Sequence, residues 1–199
     1  MIAPLQLYLV RHGETAWSLS GQHTGVTDLG LTAHGQDEAR SLAPRLRQVE
    51  FSRVLVSPRL RARQTCVLAG LGTASEVNTD LAEWNYGDYE GRRSADIRKE
   101  RADWNIWRDG CPGGETPADV SRRVDGLIEH LCTLQGNIAL FAHGQLGCAL
   151  AARWIGLPIV EGQHFALHPA SLSILGHERD HPGRRMIELW NERRDFRPA

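Results

Sequence analysis

No stretch of this 199-residue sequence approaches the roughly 20 consecutive apolar residues that a membrane-spanning helix needs. The first residues also lack a basic segment followed by a long apolar one, so no export signal is read there and the cytoplasm is the expected compartment. Excess charge is missing too. The 23 Lys and Arg stand against 24 Asp and Glu, a net charge of -1, which gives no sign of a nucleic-acid or anionic-membrane partner. Any anionic ligand must therefore be drawn by a local cluster. The cysteines, Cys66, Cys111, Cys132 and Cys148, include no C-x-x-C pair, which argues against a zinc framework or a redox motif and for reduced thiols. Histidines at i, i+4 spacing do occur, His164 with His168 and His177 with His181. Prolines sit beside both pairs and neither lies in an H-E-x-x-H frame, so neither a catalytic metal nor a cofactor is expected. Repeats, low-complexity segments and linkers are absent. With 41% hydrophobic and 24% charged residues, the chain reads as one soluble globular domain over residues 1–199, and a homo-oligomer is left open.

What is present is organised around Leu5 to Thr15, where the apolar run Leu-Gln-Leu-Tyr-Leu-Val ends in Arg11, His12 and Gly13. Such a run reads as a buried strand, and the glycine allows a sharp turn at its end. A second histidine-glycine pair, His143-Gly144, follows the apolar run Ile138 to Ala142. Two strands with the same kind of ending suggest one shared site, because open α/β sheets bind ligands where their strands end.

Between these markers, the Gly-, Ser- and Thr-rich segment Glu14 to Asp28 reads as a loop. A helix is expected from Thr32, its N-cap, to about Val49, with Ala39, Leu42, Ala43 and Leu46 on one face and Pro44 as a kink or early end. Arg53 to Val56 reads as a strand, and Ser57-Pro58 opens a helix through about Leu68. Glu76 to Thr79 is a weak strand, and Ser94 to Trp107 reads as one or two short helices forming a lid or flap. Thr116 caps a helix from Pro117 to about Leu134. Asn137 to Ala142 is a strand, Gln145 to Ile155 a helix, Ser171 to Leu175 and Met186 to Trp190 late strands, and Asn191 to Ala199 a frayed tail. Strands alternating with helices predict an α/β three-layer fold with a mostly parallel sheet.

The residues able to carry chemistry are His12, His143, Arg11, Arg61 and Glu83, with loop residues nearby. Two histidines and two arginines at strand ends would form a small positive cavity suited to a phosphate dianion, since guanidinium forks bind its oxygens bidentately. Neighbouring cations lower a histidine's pKa and keep one imidazole neutral and nucleophilic. A leaving alkoxide then needs a proton from a carboxylic acid, for which Glu14 and Glu83 are both candidates on spacing alone. Arg59, Arg61 and Arg63 lie two residues apart on a helix, so they cannot all face one ligand.

Four ordered segments carry a family resemblance: Leu9-Val-Arg-His-Gly-Glu-Thr15, Ser57-Pro-Arg-Leu-Arg61-Ala, Leu81-Ala-Glu83 and Ala142-His-Gly144. In them the chain resembles the histidine phosphatase superfamily, in the branch of phosphoglycerate mutase-like proteins and small phosphatases. The resemblance implies a three-layer α/β/α sandwich with a mixed sheet and one late antiparallel strand. It implies His12 as a nucleophile that forms a phosphohistidine, Arg11, Arg61 and His143 as groups around the phosphoryl oxygens, and Glu83 as proton donor. Gly144 and the loop positions Gln22, His23 and Thr24 would lie near the substrate, and Ser18 stands where many members carry an asparagine. The Gly-Gly-Glu-Thr116 segment and Tyr86-Gly-Asp-Tyr-Glu-Gly91 look more like the phosphatases, and the Ser20 to Asp28 loop resembles the sedoheptulose-1,7-bisphosphatase-like group. The implied partner is a small phosphate monoester, with a sugar phosphate as first guess. A phosphoglycerate mutase and a low-turnover phosphate-ester-binding regulatory protein are the alternatives.

Overall fold

The computed structural model describes residues 5–193 apart from 179 and 182. In chain order the elements are β1 (Gln6–Arg11), α1 (Ala16–Ser20), α2 (Ala33–Ser41), α3 (Ala43–Leu46), β2 (Phe51–Val56), α4 (Leu60–Leu68) and β3 (Ser75–Val77). They continue with α5 (Ser94–Glu100), α6 (Ile106–Asp109), α7 (Pro117–Leu131), β4 (Asn137–Ala142), α8 (Gly144–Trp154), β5 (Leu172–His177) and β6 (Arg185–Glu192). The strands form one sheet in the order β3-β2-β4-β1-β5-β6. β1 to β4 run parallel, and β5 is antiparallel to both of its neighbours. This is the mixed, mostly parallel sheet expected.

Each central strand is apolar on both faces because helices cover both. Leu7, Leu9, Ile138 and Leu140 pack with Trp84, Leu127, Leu150 and Trp154 on one side, while Val10, Val56 and Phe141 meet Leu46, Ala62 and Cys66 on the other. The helix expected over Thr32 to Val49 is two helices. Ser41 ends α2 and Pro44 lies in the first turn of α3, where a missing N–H costs nothing. The four residues predicted for its inner face are all buried. Thr116 caps α7 as expected, in a reciprocal capping box with Asp119. The α7 helix stops at Leu131, three residues short of the expectation.

Two further expectations are corrected. The Ser94 to Trp107 segment does form two short helices, but Trp104 and Trp107 are buried members of the core. Trp104 donates its indole N–H to Gly110 O at 2.9 Å, and Trp107 meets Trp84 edge-on at 5.5 Å, so both rings hold the layer beneath the site. Asn191 and Glu192, placed in the frayed tail, belong to β6; residues 194–199 lie outside the described residues.

The parallel register decides where the chemistry lies. Arg11 pairs with Ala142, and His12 N–H donates to Ala142 O at 3.0 Å, so the two histidine-glycine turns leave the sheet side by side. Val56 pairs with Phe141 in the same layer, which brings Ser57 to that edge as well.

Candidate active site

His12 sits in a small cavity of about 260 Å³ at the carboxyl ends of β1 and β4. Its Nδ1 lies 2.7 Å from Gly13 O, and since a carbonyl can only accept, Nδ1 carries the proton. Nε2 is therefore the nitrogen with a free lone pair. Burial, then the charges of Arg11 and Arg61, hold the His12 pKa well below the ordinary imidazole value, so the ring is neutral near pH 7. Gly13 is required by contact: a Cβ there would lie 2.3 Å from Gly35 O, where the turn crosses α2. The sharp turn expected of this glycine needs no positive φ.

His143 lies against His12, ring centroids 5.2 Å apart, and is fully buried. Its Nδ1 accepts from Arg61 Nε–H at 3.2 Å, so its proton is on Nε2, which donates to Ser57 Oγ at 2.7 Å. Burial, followed by the charge of Arg61, pushes its pKa well down. In the sequence Ser57 reads, with Pro58, as the opening of the following helix and as part of the Ser57 to Ala62 resemblance segment, with no role in the site. It is the acceptor that sets the tautomer of His143.

Arg61 is fully buried, and besides His143 it binds three carbonyls of the loop: Thr27 O at 3.0 Å, Thr24 O at 2.8 Å and Gly25 O at 3.1 Å. Glu90 grips the same loop from the opposite pole, accepting the N–H groups of Gly25 and Thr27 at 2.9 Å. A cation and an anion thus hold the two polarities of one stretch of backbone. Neither Arg61 nor His143 lines the cavity; both lie behind its wall. Arg59 donates to Val26 O, and Arg63 lines a separate surface cleft beside α2 and α4, so only the middle arginine faces inward.

Arg11 lines the cavity, bonds Leu167 O through Nη1, and buries an Nε–H that has no hydrogen-bond partner among the described residues. Gly144 makes room for it: a Cβ there would lie 3.3 Å from the Arg11 Cζ. Glu83 also lines the cavity, accepting Gln145 N–H at 3.0 Å and Leu146 N–H at 2.8 Å. It occupies the N-terminus of α8, taking up backbone N–H groups that the start of a helix leaves unpaired. Glu14, the other carboxylate left open, is turned away and accepts from Thr32 Oγ1 at 2.7 Å.

The remaining predicted loop residues, Ser18, Gln22, His23 and Thr24, all line the cavity. Ser18 spends its hydroxyl on the α1 capping box, accepting from Thr15 N at 2.8 Å and donating to Thr15 O at 3.0 Å. His23 stacks on Tyr86 at 4.5 Å, and burial lowers its pKa to about 4. Gly21, Tyr86, Ser94 and Gln145 complete the wall, none of them named as a site residue from the sequence; Ser94 is what the short-helix segment contributes. Among the described residues no group of His, Cys, Asp and Glu could hold a metal ion, and no helix is long and apolar enough to cross a membrane.

A buried neutral imidazole flanked by two arginines, a second imidazole and a carboxylate is the arrangement of a phosphoryl-transfer site. The chain belongs to the histidine phosphatase superfamily, branch 1, whose family model matches residues 7–193. It is 42% identical over 179 residues to the acid phosphatase of Mycobacterium tuberculosis, covering 87% of each chain. To the sedoheptulose 1,7-bisphosphatase of Saccharomyces cerevisiae it is 39% identical over 184 residues, covering 76% of this chain and 68% of that one. The solved structure of a Mycobacterium tuberculosis open-reading-frame product superposes with a TM-score of 0.87 at 40% identity, over 94% of this chain and 97% of that one.

Proposed function

We propose that this protein is a cytoplasmic phosphoric monoester hydrolase that cleaves a small phosphate ester through a phosphohistidine. The observation that carries the reading is the His12 tautomer: Gly13 O holds the proton on Nδ1 and leaves Nε2 free in a cavity also lined by Arg11, whose Nε–H has no partner among the described residues. Nε2 attacks phosphorus, the bond to the ester oxygen breaks, and the electron pair leaves with that oxygen. Glu83 supplies the oxygen's proton. Water then attacks the phosphohistidine, Glu83 takes a proton from it, and the P–N bond pair returns to Nε2. Arg11 meets the phosphoryl oxygens directly. Arg61 and His143 act from behind the wall: the guanidinium charge stabilises negative charge developing at phosphorus, with one Nη1 N–H left beyond its four hydrogen bonds. The phosphatase relatives support hydrolysis as the outcome.

The test is rapid-quench labelling with a ³²P-labelled phosphate ester. An acid-labile phosphoenzyme should form, decay with release of inorganic phosphate, and be absent in His12→Ala. Interconversion of 2- and 3-phosphoglycerate without phosphate release would replace this reading with a mutase. Tight phosphate or vanadate binding with no turnover across an ester panel would replace it with a binding protein.

A further inference from the structure

The cavity wall beyond the phosphate end identifies what the phosphate is attached to. Among the described residues that line it, Arg11 is the one lysine or arginine, and the phosphate itself requires that charge. The rest of the wall offers neutral hydrogen-bonding groups: the amides of Gln22 and Gln145, the hydroxyls of Tyr86 and Ser94, and His23. Two of these groups are held in place. Gln22 Nε2 donates to Gly91 O at 2.7 Å, and Ser94 Oγ lies 3.1 Å from His23 Nε2. His23 supplies no charge near neutral pH, being buried against Tyr86 with a pKa of about 4. The arginines adjoining Ser94 are committed elsewhere, Arg92 to Glu100 and Arg93 to Asp96.

We infer that the substrate carries a single phosphate on a neutral, hydroxyl-rich alcohol, and that the site discriminates against esters bearing a carboxylate or a second phosphate. An extra negative charge would lose its water without meeting a cation. Hydroxyl groups, by contrast, find both donors and acceptors along the wall. This inference rests on the hydrolase reading above and narrows its substrate class.

Glycerol 3-phosphate and 3-phosphoglycerate differ by a hydroxymethyl group against a carboxylate, which makes them the matched pair for a test by kcat/KM with phosphate release as readout. Glycerol 3-phosphate should be favoured by about tenfold or more, the scale expected for one uncompensated charge. Fructose 6-phosphate should likewise be favoured over fructose 1,6-bisphosphate. Adding a cation should shift the first ratio toward 3-phosphoglycerate in either of two variants, Ser94→Lys or Gln145→Lys, the second covering a fold failure of the first. Arg93→Gln should leave the ratio where it was. Equal or better hydrolysis of the carboxylated or bis-phosphorylated ester overturns this inference while leaving the hydrolase intact, as does a ratio that neither lysine moves or that Arg93→Gln changes. Hydrolysis of no ester at all overturns the hydrolase reading itself.

Discussion

Stability of the unliganded protein should fall steeply as pH drops from 7.5 to 5.5. His12, His23 and His143 are all buried, and burial is the first cause depressing each pKa below the usual imidazole value. In the unfolded chain each should titrate near 6.5. A histidine whose folded pKa is depressed contributes stability that is complete above the unfolded pKa and is lost as pH falls below it, because protons then bind the unfolded chain preferentially. At pH 5.5, one unit below 6.5, each histidine that stays neutral in the fold costs about 1.4 kcal/mol, or about 4 kcal/mol for the three. Carboxylates with ordinary pKa values near 4 remain ionised there, so they add little. A loss of that size is a large part of the roughly 5–15 kcal/mol that holds a domain together.

Urea denaturation followed by tryptophan fluorescence, using the chain's six tryptophans, measures this directly. The buffer must be free of phosphate, since a ligand at a hundred times its Kd would add about 2.7 kcal/mol and mask the effect. His23→Gln should cut the pH-dependent loss by about a third, whatever it does to absolute stability, because the difference between the two pH values cancels any constant packing cost. Equal unfolding free energies at pH 7.5 and 5.5 in the wild type would refute the reasoning that these rings are held neutral.

Three other outcomes are expected. Ser57→Ala removes the acceptor of a buried imidazole N–H, and the proton cannot move to Nδ1 because Arg61 Nε–H already donates there; unfolding should become easier by about 1–3 kcal/mol, which differential scanning calorimetry reads as a drop of about 2–4 °C per kcal/mol. In kcat/KM, which reports only the steps up to the phosphohistidine and not its hydrolysis, Glu83→Gln should slow alkyl phosphates by about 10²–10⁴, yet slow p-nitrophenyl phosphate far less, because nitrophenolate leaves without a proton; equal losses of kcat/KM on both would remove Glu83 from the proton-donor role. Gly13→Ala forces a Cβ toward Gly35 O, a backbone atom that cannot rotate away, and should cost about 1–3 kcal/mol in urea denaturation.

The sheet was legible because its central strands are buried on both faces and so read as plain apolar runs, ended by His12-Gly13 and His143-Gly144. β6 was harder, because none of its residues is fully buried and its last two residues are polar. Pairing was not legible at all. The neighbourhood of Val56 and Phe141 makes Ser57 the partner of His143, yet in the sequence Ser57 has only the look of a serine before a proline. Tyr86 and Ser94 reach the cavity from segments with no periodic pattern pointing at it, so no local signal marks them.

Arg61 shows most clearly why residue type and spacing could find the site without finding its construction. Helix geometry allows only some of three alternating arginines to face inward, but it does not say what the inward one binds. Four of its five N–H groups go to Thr24 O, Gly25 O, Thr27 O and His143 Nδ1, so one guanidinium ties the outer loop to the second histidine. Because Glu90 takes the N–H groups of the same loop, that backbone is held between opposite charges and cannot shift without disturbing one of them. The loop that carries Thr24 into the cavity wall and the buried His143 behind it are therefore one hydrogen-bonded unit. A substitution in residues 24–27 that displaces those carbonyls should be felt at His143 even though it touches neither histidine.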